Sequence, residues 1–274
     1  MNKNLISIIL PVYNGHQTDL EETIKSVQQQ SYKKWELLII NDASTNGIWK
    51  FLAEYAKQDT RILYLENEIN LRLTKTLNKG IMLSHGEFIA RIDDEDIWTD
   101  AYKLEKQIHF LKKNPKYWIC GTNAVALNPQ GKPLFFVKKP ENDNEIRQKM
   151  LLWSQLLHVS VVFRKSCIDK VGCYDPKWDY VEDHELWLRI GKKYKIYNLQ
   201  ENCVNFKIDP NWISWKNRRM QRWNILKLSL LYKNSYPWFL SAIIKNILHY
   251  VLSYLPLNIS LFLIKWKNET NTSY

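Results

Sequence analysis

Three acidic groups in this 274-residue chain sit where side-chain chemistry needs carboxylates. The first is Asp42, in Asn41-Asp42-Ala43-Ser44-Thr45, directly after the apolar run Trp35–Ile40. At the carboxyl end of a strand in an open α/β sheet, a carboxylate can accept hydrogen bonds from a base or a ribose. An Asx turn or helix cap explains the same residues without a ligand. The second group is Asp93-Asp94-Glu95-Asp96, following the run that starts at Glu87. Four successive acids repel one another unless a cation compensates. A Mg²⁺ or Mn²⁺ ion supplies one, taking carboxylate oxygens together with substrate phosphates and neutralising charge on a leaving diphosphate. A solvated loop capping the next helix is the alternative. The third is Glu182-Asp183, ahead of the helical run Leu186–Ile190. Acids in a first helical turn complement the helix dipole. A carboxylate there also stays ionised, as a base that deprotonates an acceptor hydroxyl must.

The elements that position these groups read as an α/β domain. Short apolar runs alternate with helical patterns from residue 5 to about 125, which predicts a parallel sheet wrapped by helices. Strands are expected at Leu5–Val12, Trp35–Ile40, Arg61–Glu66, Glu87–Asp93 and Tyr117–Leu127. A first helix carries Leu20, Ile24 and Val27 on one face, with Thr18 and Glu21 spaced as a capping box. A second runs over Thr74–Ser84 and stops at Gly86, and a third starts near Asp100. Asn128-Pro129-Gln130-Gly131 signals a hairpin turn. A helix near Asn144–Leu156, a strand at Val159–Arg164 and a helix around Glu182–Gly191 follow.

Lys and Arg number 39 against 28 acids, a net charge of +11, which favours phosphate-rich partners. The four cysteines, Cys120, Cys167, Cys173 and Cys203, form no CxxC pair and read as reduced, buried thiols. The N-terminal apolar run is too short for a signal peptide, so the sequons at Asn258, Asn268 and Asn271 carry no expectation of glycosylation.

Together these segments resemble glycosyltransferase family 2, with the GT-A fold. Ser7-Ile8-Ile9-Leu10-Pro11-Val12-Tyr13-Asn14 and Asn41 to Thr45 resemble its opening. Leu73 to Ile81 resembles the helix before its metal strand, and Ile89-Ala90-Arg91-Ile92-Asp93-Asp94-Glu95-Asp96 its DxD region. His158 to Arg164, Val171 to Asp175 and Glu182 to Arg189 resemble its acceptor half, so the likeness spans about residues 5–215. It implies that Pro11, Tyr13, Asn14, Asp42, Asp93 and Asp94 bind the donor, that Asp93 and Glu95 hold Mn²⁺ or Mg²⁺, and that Asp183 is the base of an inverting single displacement. The donor would be a nucleotide sugar, UDP-linked, and the acceptor a saccharide or lipid-linked saccharide of cell-surface polysaccharide synthesis. Three positions depart from the pattern: Glu95 replaces Asp, Arg72 stands where glycine is expected, and Asp209 replaces His within Phe206-Lys207-Ile208-Asp209-Pro210.

Beyond the GT-A domain at 1–212, residues 213–274 read as a helical, membrane-seeking extension. Trp215 to Trp223 interleaves cations with Trp, and residues 246–264 contain no Lys or Arg. Two interfacial helices broken at Pro256 on an anionic membrane surface are the preferred reading, over a spanning helix or a helical partner interface; nothing else supports nucleic-acid binding. The expected location is the cytoplasmic face of the cell membrane, peripherally bound. The rivals are a sugar-phosphate nucleotidyltransferase, which would need a Gly-rich phosphate loop where residues 11–20 hold only Gly15, and a catalytically weakened membrane scaffold of the same fold.

Overall fold

The computed structural model describes residues 1–208 and 217–254. Among the described residues nine strands form one sheet: β1 Asn2–Val12, β2 Trp35–Asn41, β3 Ile62–Glu66, β4 Gly86–Arg91, β5 Ile97–Trp98, β6 Tyr117–Leu127, β7 Pro133–Val137, β8 Val162–Arg164 and β9 Lys195–Lys207. The order is β3-β2-β1-β4-β8-β6-β9-β5, with β7 paired to β6. Successive residues of β1 point to opposite faces, so the strand must be apolar on both. Ile6, Ile8 and Leu10 enter one core with Leu20 and Ile24 of helix α1 (Gln17–Gln28) and Leu104 and Ile108 of α4 (Lys103–Lys113). Ile9 enters the other core, with Leu77 and Ile81 of α3 (Arg72–Leu83) and Trp187 of α7 (Glu182–Lys193). The molecule is thus a three-layer α/β/α stack.

The expectation of a mostly parallel sheet is corrected to a mixed one. β1, β2, β3 and β4 pair in parallel, as do β6 and β9, but β8 runs antiparallel to both β4 and β6. Between β7 and β8 the chain forms α5 (Asp143–Lys149) and the short turn His158–Ser160 before entering β8. The expected hairpin is present, with Gly131 at φ +78° between antiparallel β6 and β7. The polar residues of β9 hid it from a reading based on apolar runs: Asn198 is fully buried but donates to the carbonyls of Pro140 and Gln155. Helix α2 (Ile48–Ala56) was not anticipated either.

Smaller expectations change too. Helix α1 is capped at His16 with no side-chain hydrogen bond, so Thr18 lies inside the helix and no capping box forms. Gly86 does not stop α3, which ends at an extended Ser84. Gly86 opens β4 instead, and a Cβ there would fall 2.7 Å from the Leu5 carbonyl oxygen and the Ser7 nitrogen, so close strand approach requires the glycine. Helix α5 covers only Asp143–Lys149, and Val159 and Ser160 belong to a 3₁₀ turn. The short α6 spans Ile168–Val171.

Helices α8 (Arg218–Leu231) and α9 (Phe239–Leu252) follow. The expected boundary at 212/213 does not separate them from the core, because Ile225, Leu228, Tyr232, Tyr236 and Ala242 pack into the same cluster as Trp187. Tyr232 donates to Glu185 and Tyr236 to the Leu188 carbonyl, which fastens α8 and its following turn to α7. Among the described residues no helix is long and apolar enough to cross a membrane. Asp209, Trp215, Pro256, most of the apolar run 246–264 and the three sequons lie outside the described residues.

Lys103 is a cost within this core. Its side chain is fully buried, with the ammonium 3.9 Å from the Trp98 ring and 3.0 Å from Gln107 Oε1. Burial pulls its pKa down to about 7. Between that value and the ordinary lysine range near 10.5, the unfolded chain binds more protons than the folded one, so this group's contribution to stability rises with pH. Lys103→Met is therefore expected to raise the melting temperature. The gap is widest at and below pH 7, on the order of a few kcal/mol, and closes toward pH 10.5. Thermal melts of both proteins across this range measure it.

Candidate active site

The chain leaves β1 for β2 on one side of the sheet and returns to β4 on the other, so the carboxyl ends of β1 and β4 flank a topological switch point. Crevices in open α/β sheets form there. The loop after β1 contains Asn14 and the loop after β2 contains Ala43, both in left-handed backbone at φ 55° and 57°. They are braced together: the Asn14 amide donates to Ser44 Oγ at 2.9 Å, and Asn14 Oδ1 accepts from the Thr45 amide at 2.8 Å. Pro11 is buried and Tyr13 exposed beside this brace. Asp42 lies beneath, its Oδ1 accepting from Asn67 Nδ2 at 2.7 Å and the Leu71 amide at 2.8 Å. Asn14 and Asp42 thus shape the crevice while spending part of their own hydrogen-bonding capacity on it. A cavity of about 460 Å³ opens alongside, lined by Ala43, Ser44, Glu66, Asn67 and Glu68.

The acidic loop after β4 faces the same crevice. Asp94 approaches the β1–α1 loop so closely that a Cβ on Gly15 would fall 2.5 Å from Asp94 Oδ2, and only glycine allows the approach. A turn closes the loop, with the Asp96 amide donating to the Asp93 carbonyl, and Thr23 Oγ1 pins the Asp96 carbonyl from α1 at 2.9 Å. Burial, the Asp93 charge and the Glu95 charge push the Asp94 carboxyl up to about 7. Asp96 is buried and pushed well above the carboxylate range by burial and by Asp93. Glu95 makes no hydrogen bond or ion pair among the described residues.

Arg91 supplies the compensating charge. The last residue of β4, it is 4% exposed, and its Nη2 lies 2.5 Å from Asp93 Oδ1. Burial opposes its charge, but Asp93, Tyr174, Glu182 and Asp96 outweigh burial and raise its pKa. Its buried Nε has no partner among the described residues.

The third acidic group arrives from the opposite side on α7. Glu182 is buried, whereas Asp183 keeps access to solvent. Burial, then the Asp183 charge, drives Glu182 up to about 7. Burial also raises Asp183, against a backbone hydrogen bond from His184 and the charges of Arg91 and Lys139. Asp183 in turn raises the Asp93 carboxyl, after burial and against the Arg91 charge. His158 lies against them with Nε2 at 2.7 Å from the Tyr174 hydroxyl; burial and Arg91 hold it neutral. Asn78 of α3 fixes Tyr174 by two hydrogen bonds to its backbone. Glu185 faces away, paired with Arg189 at 2.7 Å and Tyr232 at 2.9 Å.

All three predicted acidic groups therefore converge. Sequence reasoning missed Arg91, His158 and Tyr174 as site residues, although each lies inside a segment it had singled out. The spacing of Arg91 two residues before Asp93 was the available signal. Arg72 does adopt the left-handed backbone of a glycine position, φ 65°, and is exposed. Hard carboxylate oxygens suit Mg²⁺ or Mn²⁺. The Arg91 hydrogen bond uses Asp93 Oδ1 and Glu95 makes none among the described residues, so each carboxylate has oxygens left to offer an ion. A second set, His158, Glu182 and Asp183, brings ligand atoms within 4.8 Å of one another. Arg91 acts on both of its carboxylates, with Lys139 also on Asp183, and Arg91 pairs directly with Asp93, so the two acidic sets share one buried cation.

The sequence model described as Glycosyl transferase family 2 matches residues 7–165. EpsE of Bacillus subtilis, named as a glycosyltransferase, is 31% identical over 75% of this chain and 74% of its own length. The amylovoran biosynthesis glycosyltransferase AmsE of Erwinia amylovora is 26% identical over 90% of this chain and 92% of its own. Among solved structures, residues 1–349 of TarS from S. aureus in complex with UDP-GlcNAc superpose with a TM-score of 0.69 at 13% identity, covering 91% of this chain and 73% of that one. The mannosyltransferase PcManGT from Pyrobaculum calidifontis, in complex with GDP-Man and Mn²⁺, gives 0.64 at 15%, covering 96% and 79%. The fold is accordingly GT-A-like, and the nucleotidyltransferase alternative is set aside.

Arg91→Met strips the buried cation from the carboxylates and should destabilise the chain by about 3–5 kcal/mol near pH 8. Without the guanidinium the folded-state carboxyl pKa values rise further. The folded protein then holds more protons than the unfolded chain, and the deficit shrinks as pH falls toward 5. Urea titrations at both pH values check this; a pH-independent deficit would show that Arg91 acts by packing alone.

Proposed function

The chain belongs to glycosyltransferase family 2, and from that premise we propose that it is an inverting enzyme that transfers a sugar from a nucleoside diphosphate to a hydroxyl of a saccharide or lipid-linked saccharide. The observation that carries this reading is the family match over residues 7–165 together with the acidic loop at the end of β4, where buried Arg91 holds Asp93 at 2.5 Å. In this reading the nucleoside occupies the cavity beside Ala43 and Asn67, against the brace made by Pro11, Tyr13, Asn14 and Asp42. Asp93, oriented by Arg91, and Asp94 lie under the ribose and diphosphate. When bound, an ion held by Asp93 and Glu95 would supply positive charge to the departing diphosphate. The complexes of PcManGT with Mn²⁺ and of TarS with UDP-GlcNAc support a divalent ion and a UDP-linked donor.

Asp183 accepts the proton of the acceptor hydroxyl as its oxygen attacks the anomeric carbon from the face opposite the diphosphate. The new glycosidic bond forms as the carbon–oxygen bond to the diphosphate breaks, which inverts the anomeric centre. A raised carboxyl pKa makes Asp183 a stronger base than a free aspartate. Its solvent access favours it over buried Glu182, which orients the acceptor side instead. Named relatives such as AmsE support an acceptor in extracellular polysaccharide synthesis.

The working location is a peripheral position on the cytoplasmic face of the cell membrane. One face of α9 is fastened inward by Ala242 and by Asn246, whose amide donates to the Leu151 carbonyl at 2.8 Å. The other presents Leu240, Ile244, Ile247, Leu248 and Val251 to solvent at helical spacing.

Three outcomes test this reading. Asp183→Asn keeps fold and UDP affinity but lowers acceptor turnover by about 10²–10⁴, whereas Glu185→Gln lowers stability by about 1–3 kcal/mol and leaves turnover per folded molecule nearly intact. Near-normal transfer by Asp183→Asn would remove it as the base. Mn²⁺-dependent UDP binding, followed calorimetrically, disappears in EDTA and weakens at least tenfold in Glu95→Ala, given that each 1.4 kcal/mol of lost ion contact is a factor of ten; unchanged affinity would refute the ligand pair.

A further inference from the structure

An unexplained apolar surface lies beside the crevice. β7 is an edge strand in which Leu134, Phe135 and Phe136 are exposed by 52%, 47% and 70%. Three consecutive large apolar residues on an open edge carry a cost in solubility that a folded chain ordinarily avoids. The exposed Lys132 and Lys138 bracket them, and the hairpin segment 128–139 contains no Asp or Glu.

The hairpin is tied to two places. Lys139, immediately after β7, donates to the Ser154 carbonyl at 2.9 Å and interacts electrostatically with Asp183. The neighbouring Trp153 is 39% exposed and packs edge-on against His249 of α9 at 6.2 Å. The Trp153–Ser154 loop therefore links Lys139 at the end of β7 to the inward face of α9, on which His249 lies with Ala242 and Asn246. Residues 217–254 likewise contain no acid, but six Lys or Arg.

We infer that the β6–β7 hairpin is a second membrane-docking element: it inserts Leu134, Phe135 and Phe136 into an anionic bilayer surface while Lys132 and Lys138 meet the headgroups. This rests on the reading of α9 as membrane-facing. Apolar side chains flanked only by cations match the two attractions of an anionic interface, burial of hydrocarbon and charge. With the hairpin and α9 both docked, the acceptor side of the crevice opens toward the bilayer, and the hydroxyl that reaches Asp183 belongs to a saccharide carried on a membrane lipid.

The test uses the full chain and sedimentation with vesicles of phosphatidylcholine, with and without phosphatidylglycerol. Leu134→Ser/Phe136→Ser should bind phosphatidylglycerol vesicles roughly tenfold more weakly, with its melting temperature and Mn²⁺-dependent UDP binding unchanged. Lys132→Gln/Lys138→Gln should lose the preference for phosphatidylglycerol and keep its weak binding to phosphatidylcholine. Ile244→Ser/Val251→Ser on α9 serves as the separate control. If the hairpin variant sediments like the wild type while the α9 variant does not, the hairpin proposal falls and the α9 reading stands. If the wild-type chain sediments with neither vesicle, the membrane reading falls and takes the hairpin with it.

Discussion

A guanidinium buried beneath four carboxylates is the interaction on which the site depends. Arg91 acts on Asp93, Asp96, Glu182 and Asp183, which come from the end of β4 and the start of α7. Removing such a group from water is costly unless partners surround it. Here every carboxylate partner also belongs to the crevice, so the charge that holds the two halves together organises the chemistry. One cation against several acids leaves negative charge uncompensated. Burial answers part of that excess by raising carboxyl pKa values, and in the proposed function a divalent ion with its diphosphate would answer the rest.

The sheet explains why the halves meet. The parallel block β1 to β4 produces a switch point and places Asp42 and Asp93 at its carboxyl edge. The antiparallel entry of β8 brings the chain back across β4, so that His158 and then α7 reach the same edge from the far side. Asn78 of α3 fixes Tyr174, Tyr174 meets His158, and His158 lies against Trp187 with ring centres 5.8 Å apart. The start of α7, with the proposed base Asp183, is thus tied to α3 by hydrogen bonds and ring packing.

Much of this was legible because the chemistry is written in short segments. A strand that is apolar on both faces announces itself, and acids at the end of such a strand are out of place unless something binds them. The locations of Asp42 and Asp93 follow from that contrast, whereas Asp183, in the first turn of α7, stood out only through the family resemblance. Arg91 was harder, since an Arg that ends an apolar strand looks like a surface residue until the opposing helix is placed. Strand β9 was invisible because Asn198 and Asn202 break its apolar pattern, and the burial of Asn198 is tolerable only through partners distant in sequence, Pro140 and Gln155. The capping box failed for a local reason: α1 begins a residue before Thr18, so the hydroxyl had no free amide to cap. The exposed β7 edge followed from no pattern, because Leu134 to Phe136 reads like any buried strand.

In the proposed mechanism Asp183 draws the proton from a nucleophile that attacks from the side opposite the diphosphate. Water can take the acceptor's place slowly, so the claim can be tested without the natural acceptor. Proton NMR of the sugar released from α-linked UDP-hexoses in Mn²⁺, recorded before mutarotation scrambles the signal, reads the outcome directly. The account predicts the β anomer as the first product. Release of the α anomer would mean retention and would contradict the placement of Asp183 as the base opposite the leaving group.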